Sequence, residues 1–154
     1  MFYVIEHRTN QRGGVELPKK VAVDEATERA MKQLGELITE CRGTRSLRKI
    51  AKPSGIPASQ LQYLEKGIMA PTADVYPKLL NVLNPSEKQR TKMDHLYMAI
   101  RKTPPPDICD LIINNQNLIP VLRAMEGAVL TSEKMKALLT AIAQENRKGD
   151  TDNG

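Results

Sequence analysis

A stripe of polar side chains lies along one face of a helix that the sequence predicts over residues 57–66. At about 100° per residue, this face lies opposite Leu61 and Leu64, whose spacing is typical of buried positions. Its members are Ser59, Gln62, Tyr63 and Lys66. Hydroxyl, amide and ammonium groups hydrogen-bond to base edges and phosphates in a DNA major groove, which is wide enough to admit a helix. A helix face that contacts only solvent has the same periodicity, so this pattern leaves both interpretations open.

Positive charge is concentrated in the same part of the chain. The 154 residues hold 23 Lys+Arg and 18 Asp+Glu, a net charge of +5. Residues 42–66 alone hold six basic residues and one acidic residue, Glu65, which is also a net charge of +5. This local excess is typical of a surface that binds a polyanion, although a solvated basic surface has the same composition. Four cations on or beside the preceding helix are predicted to contact phosphate: Arg45, Arg48, Lys49 and Lys52.

Residue types that carry catalysis or bind metals are few and scattered. Cys41 and Cys109 lie far apart in apolar-periodic segments and match neither a disulfide framework nor a metal motif. We expect both to be buried thiols in a reducing compartment. His7 and His95 have no cysteine or carboxylate cluster near them in the sequence. The sequence therefore predicts no enzyme, no metal and no cofactor.

Composition excludes other classes of protein. With 40% apolar and 27% charged residues, the chain resembles an ordinary soluble globular protein. No stretch approaches the roughly 18 apolar residues that cross a bilayer. Residues 1–20 contain no apolar run of signal-peptide length. We therefore expect a cytoplasmic protein that does not enter membranes.

Helix signals place the polar stripe within a series of helices. Asp24 is a good N-cap for a first helix that ends at Gly43. Ser46 caps a short second helix, which Pro53 ends or bends. Gly55 then permits a tight turn into the third helix, the one that carries the stripe.

Later elements follow from the same kind of signal. Pro77 predicts a kink or a late start in a fourth helix, and Ser86 with Gln89 forms a capping-box pattern for a fifth. Met93 and Tyr97 on that fifth helix are predicted to pack in the core. Three prolines, 104–106, form the clearest boundary in the chain.

Residues 34–83 resemble the lambda-repressor-like (Cro/CI, XRE-type) helix-turn-helix proteins without a gap. The matching positions are Leu34, Ile38, Ile50-Ala51, Gly55-Ile56, Ser59, Leu61, Leu64-Glu65, Gly67 and Pro71-Thr72. The resemblance implies an all-α fold, with a five-helix domain whose third helix reads bases in double-stranded DNA. It implies base contacts from Ala58, Ser59, Gln60, Gln62 and Tyr63, and a phosphate contact from Lys66.

The resemblance and the boundaries together predict four segments. Residues 1–22 form an extended or disordered arm, and 23–103 form the DNA-binding domain. Residues 104–143 form a small helical accessory domain, and 144–154 form a disordered tail. Because short helices bury little area alone, we expect the accessory helices to pack against a second copy of the chain. The expected function is a sequence-specific repressor that binds a palindromic operator as a homodimer.

A second hypothesis keeps the fold and changes the partner. The family often has polar or basic residues at the positions of Leu47, Ile68 and Met69. Apolar side chains at these positions favour a protein-interaction module, such as an antitoxin-like or inhibitor protein. A stoichiometric protein partner without DNA binding would distinguish this hypothesis from the first.

Overall fold

A computed structural model of the chain describes residues 3–4 and 21–149, with side chains described for residues 23–144. The described part is helical apart from two strands of two residues, which confirms the predicted all-α class. The helices are α1 (Glu25–Arg42), α2 (Leu47–Ser54), α3 (Ala58–Glu65), α4 (Val75–Leu83), α5 (Glu87–Arg101), α6 (Pro106–Asn114), α7 (Leu118–Met125) and α8 (Ser132–Gly149). None of the described helices is both long enough and apolar enough to cross a membrane.

The strands belong to the segment predicted as an N-terminal arm. β1 (Tyr3–Val4) pairs antiparallel with β2 (Val21–Ala22), so these four residues are extended. The arm prediction for residues 1–2 and 5–20 lies outside the described residues.

The predicted helix caps are present. The Asp24 carboxylate accepts hydrogen bonds from the backbone N–H and the hydroxyl of Thr27, each at 2.9 Å. Gly43 ends α1 at a positive φ of 58°. Ser46 caps α2, and Ser86 forms a reciprocal capping box with Gln89 at the start of α5. These side chains satisfy N–H groups that have no partner within the helix.

Pro53 and Pro77 lie near the ends of their helices, where a proline costs little stability. Pro53 lies in the last turn of α2, one residue before the helix ends at Ser54. Pro77 lies in the first turn of α4, so the late start is confirmed. A proline in a first turn removes an N–H that would have no helical partner.

The core lies in the first of two units into which the chain divides, Met1–Leu111 and Ile112–Gly154. In this unit α1 packs against α3, α4 and α5, and α2 packs against α3 and α4. Met93 and Tyr97 are buried, as predicted. The ring of Tyr97 stacks on that of Tyr76, with centroids 4.3 Å apart. The Tyr76 hydroxyl donates to the Asp94 carboxylate at 2.7 Å.

The division between the units comes after residue 111, later than the boundary predicted after residue 103. Pro105 is buried, and the Asp107 carboxylate accepts a hydrogen bond from the Arg90 guanidinium at 2.6 Å. These contacts hold the first turn of α6 to the first unit, which is why the proline run does not mark the boundary.

The second unit differs from the first in its burial. None of residues 112–144 is buried, and large apolar side chains are exposed on both α7 and α8. α8 extends to Gly149, past the predicted start of a disordered tail at residue 144. The polar residues 144–148 include Gln, Glu, Arg and Lys, which are good helix formers, so polarity was a poor guide to disorder here. The tail prediction for residues 150–154 lies outside the described residues.

Candidate nucleic-acid interface

α3 turns one face to the core and the opposite face to solvent. Leu61 and Leu64 are each 1% exposed. On the opposite side Ser59, Gln62 and Lys66 are exposed, and the Tyr63 side chain is 44% exposed. Side chains of the described residues form no hydrogen bond with Ser59, Gln62 or Tyr63. The predicted stripe is therefore brought together on one accessible surface, and its polar groups have no intramolecular partner in the described part of the chain.

The two remaining base-contact candidates lie at the edges of this face. Ala58 and Gln60 are both half-buried. At about 100° per residue, they lie on either side of the stripe and nearer the core than Ser59. Their base contacts, which the resemblance implies, stay a prediction.

A tight turn sets the entry of α3. Gly55 has left-handed backbone geometry, with φ 67° and ψ 11°. The Ser54 hydroxyl donates to the Ile50 carbonyl at 2.7 Å and accepts from the Ile56 N–H at 3.2 Å. These two hydrogen bonds close the end of α2 and direct the chain into α3. Pro57 precedes α3 without a side-chain cap.

The exit of α3 is fixed against α1 by an ion pair. The Arg42 guanidinium donates from Nε to Glu65 Oε1 at 2.5 Å and from Nη2 to Glu65 Oε2 at 3.3 Å. The pKa of Arg42 is raised, chiefly because Glu65 accepts this hydrogen bond. Glu65 is the one acidic residue in residues 42–66. Its charge is thus neutralised within the fold instead of opposing an anion at the surface.

Two glycines allow α1 and the end of α3 to approach closely. A Cβ on Gly35 would lie 2.7 Å from the Leu64 carbonyl oxygen, and nearer still to that of Glu65. A Cβ on Gly67 would lie 2.8 Å from the Cα of Lys32, and Gly67 has a positive φ of 66°. No sequence signal singled out Gly35, because its role depends on a helix thirty residues later. Glu65 did carry a signal, as the lone acid in a basic stretch.

Three cations of α2 remain available at the surface. Arg48, Lys49 and Lys52 are exposed, and no described residue forms an ion pair with them. Arg48 and Lys49 lie in the first turn of α2, which contains no acidic residue. Cations near a helix N-terminus oppose the helix dipole, which costs about 0.3–1 kcal/mol. An anion bound at this end would interact favourably with both the dipole and the side chains.

Arg45 differs from these three cations. Its guanidinium donates to the carbonyls of Cys41 and Val82, both at 2.8 Å. It also donates to the carbonyls of Arg42 at 3.1 Å and Leu83 at 3.3 Å. These bonds join the C-terminal ends of α1 and α4. These bonds occupy four of the five N–H groups of its guanidinium, so we no longer expect Arg45 to contact phosphate.

The apolar residues that motivated a protein-partner hypothesis are partly explained by packing. Leu47 and Met69 are half-buried and pack against the hydrophobic core. Ile68 is also half-buried. These side chains therefore contribute to the fold, and a partner is not needed to account for Leu47 and Met69.

The His, Cys, Asp and Glu side chains are the candidate metal ligands and nucleophiles of residues 3–4 and 21–149. No group of three or more His, Cys, Asp or Glu in this part of the chain could hold a metal ion. Cys41 and Cys109 are free and half-buried, where full burial was predicted. Burial raises the pKa of the Cys41 thiol, which opposes formation of a reactive thiolate.

The surface formed by α2 and α3 thus combines two features. The polar side chains on the outward face of α3 have no described hydrogen-bond partner, and exposed cations of α2 lie at one side of that face. The cations without a described ion-pair partner are Arg48, Lys49, Lys52 and Lys66. Comparisons of the chain with protein-family models, curated proteins and solved structures found no match.

Proposed function

We propose that this protein is a sequence-specific DNA-binding regulator, acting as a repressor in the cytoplasm. In this proposal α1–α5 are the five-helix domain of the lambda-repressor-like family, and α2 and α3 are its helix-turn-helix. α3 enters the major groove, and α2 lies beside the sugar-phosphate backbone. The observation that carries the proposal is the exposed face of α3, whose polar groups have no described partner and lie beside unpaired cations.

The dimensions of α3 support this placement. An α-helix with its side chains is about 10–12 Å in diameter, and the major groove of B-DNA is about 12 Å wide. Ser59, Gln62 and Tyr63 would then meet base edges along one turn or two of α3, with Ala58 and Gln60 at the margins. Arg48 and Lys49, at the start of α2, would meet phosphates on one side of the groove, together with Lys52. Lys66, just after α3, would meet the backbone near the other end of the helix.

The second unit supports a dimer. Ten large apolar side chains of α6, α7, α8 and the segments between them are at least 38% exposed: Ile113, Ile119, Val121, Leu122, Val129, Leu130, Met135, Leu138, Leu139 and Ile142. So many exposed large apolar side chains are more typical of a protein interface than of a surface in contact with water alone. In our proposal two copies bury these side chains together, which places two α3 helices on the two halves of a palindromic operator. Repression would then be steric, because the bound dimer covers a promoter.

Salt dependence provides the direct test. The full-length chain would be used to select sites from random duplex DNA, and affinity for the selected site would be measured across a salt series. Because phosphate contacts release counterions, log K should fall with log salt by about 0.9 per contact. In the proposed dimer each substitution removes one contact per subunit, so Arg48→Gln combined with Lys49→Gln should lower that slope by about 3.6 and weaken binding to all sequences alike.

The matched control removes two exposed lysines from α5. Lys88→Gln combined with Lys92→Gln changes the net charge equally but leaves α2 and α3 untouched, so the slope should stay near the wild-type value. Failure to select any site, or an affinity that does not change with salt concentration, would refute the proposal. A stoichiometric protein partner recovered in the absence of DNA binding would instead support the protein-interaction module.

A further inference from the structure

The outward face of α3 carries one exposed carboxamide, a planar group whose nitrogen donates and whose oxygen accepts hydrogen bonds. This is Gln62, whose carboxamide meets no described hydrogen-bond partner. The other amide of the helix, Gln60, is half-buried at the edge of the face. Residues 58–66 contain no arginine and no asparagine. The capacity of α3 for two-bond recognition of a single base is therefore concentrated in Gln62.

Only one base matches a carboxamide in the major groove with two hydrogen bonds. Adenine presents the N6 amino group as donor and N7 as acceptor, whereas guanine presents two acceptors and cytosine one donor. The Gln62 oxygen can accept from N6 while its nitrogen donates to N7. We propose, on the basis of the proposed function, that Gln62 selects adenine at one fixed position in each half of the operator.

The neighbours of Gln62 suit this role. Ser59 and Lys66 lie one turn before and one turn after it, and both are exposed. The nearby carboxylate of Glu65 is held by Arg42, so it does not compete for the amide protons. Tyr63 is 44% exposed and offers apolar ring surface. Such surface packs well against the methyl group of thymine, so a thymine beside the selected adenine fits the same face.

The test exchanges the side chain and the base together. Sites would be selected from random duplex DNA with the full-length wild type, Gln62→Ala and Gln62→Arg. The wild-type sites should hold adenine at one position per half, and replacing that A·T pair by G·C should weaken binding about 5- to 150-fold. Gln62→Ala should lose this preference, and Gln62→Arg should prefer guanine at the same position, because Arg pairs with its O6 and N7.

A base analogue provides an independent readout. Duplexes with 7-deazaadenine at that position lack the N7 acceptor, so they should weaken the wild type but leave Gln62→Ala unchanged. Because Gln62 is exposed, both variants should unfold at the wild-type denaturant midpoint. The inference is overturned if the wild type selects sites but Gln62→Ala keeps every base preference, or if Gln62→Arg still selects adenine. If the wild type selects no site, the proposed function itself fails, and this inference fails with it.

Discussion

The side chains of Arg42 and Glu65 join the last turn of α1 to the last turn of α3 through two parallel hydrogen bonds. Their side chains are only 21% and 13% exposed, so water screens the pair less than it screens most surface ion pairs. α3 is eight residues long, too short to be stable alone. This pair and the packing of Leu61 and Leu64 therefore hold the helix in position.

Replacing Glu65 by Gln should destabilise the fold, because it removes the negative charge of the side chain and keeps its shape. We expect the free energy of unfolding to fall by about 1–3 kcal/mol, since the Arg42 guanidinium loses its charged acceptor. Urea denaturation followed by circular dichroism measures this change. Glu36→Gln, at an exposed position of α1, is the control and should change stability by less than about 0.5 kcal/mol. Equal stability of the two variants would show that the ion pair does not hold α3.

A methyl group at Gly35 should be harmful although alanine is the better helix former. Alanine gains about 1 kcal/mol over glycine within a helix. At this position, however, the new Cβ would overlap the carbonyl oxygens of Leu64 and Glu65, which are backbone atoms and cannot rotate away. We expect Gly35→Ala to lower the free energy of unfolding by about 1–3 kcal/mol. Gln33→Ala, at an exposed position of the same helix, should leave it unchanged or slightly higher, and a stable Gly35→Ala variant would contradict the close approach.

Local signals predicted much of the fold because their physics is local. Asp24 and Ser86 bond to N–H groups three residues away, so the sequence shows both partners at once. The spacing of Leu61 and Leu64 likewise showed which face of α3 points outward. The outward stripe of α3 could therefore be chosen from spacing alone, whereas Ala58 and Gln60 were named only through the family resemblance.

Interactions over long sequence distances were not predictable in this way. A charge count treats Arg45 like Arg48, but the carbonyl of Val82 that accepts from Arg45 lies 37 residues later. The fit of Gly35 against α3 and the stacking of Tyr76 on Tyr97 depend in the same way on how helices pack.

Changing Arg45 or Arg48 to Gln should have different effects, one on the stability of the fold and the other on DNA binding. Arg45→Gln should lower the free energy of unfolding by about 1–3 kcal/mol, because four carbonyl contacts lose their donor. It should leave the salt slope of DNA binding unchanged. Arg48→Gln should lower the slope by about 1.8, which is one contact in each subunit of the dimer. Its stability should be unchanged or up to about 1 kcal/mol higher, because a cation leaves the N-terminal end of α2. A reduced slope for Arg45→Gln would show that Arg45 does contact phosphate.

Alkaline pH should destabilise the core through Tyr76. Burial, followed by the hydrogen bond to Asp94, raises the pKa of Tyr76, and burial also raises that of Tyr97. Tyr76 thus stays protonated in the folded state while an unfolded tyrosine ionises near pH 10. The stabilisation is complete below the unfolded pKa and is lost as pH rises from there toward the folded pKa.

Urea denaturation between about pH 9 and pH 11 measures this loss. Tyr76→Phe should be less stable than the wild type at neutral pH, by about 1 kcal/mol for the lost hydrogen bond. It should also lose less stability across the alkaline range. Tyrosinate absorbance should appear with unfolding for the buried rings, and an identical alkaline loss in wild type and variant would contradict this assignment.

The exposed apolar stripe of α8 should control dimerisation. Met135, Leu138, Leu139 and Ile142 recur at helical spacing and are 38–63% exposed. Leu139→Glu introduces a charge that is costly to bury between two chains, so the variant should be monomeric by light scattering. Operator affinity should fall with it, because the two α3 helices are no longer linked. The domain that holds α3 should still unfold at the wild-type denaturant concentration, since Leu139 is 63% exposed.

The control is Ala137→Glu, which adds the same charge about half a turn away from the stripe and should remain a dimer. A wild type that is already monomeric at binding concentrations, or a Leu139→Glu variant that stays dimeric, would exclude α8 as the interface.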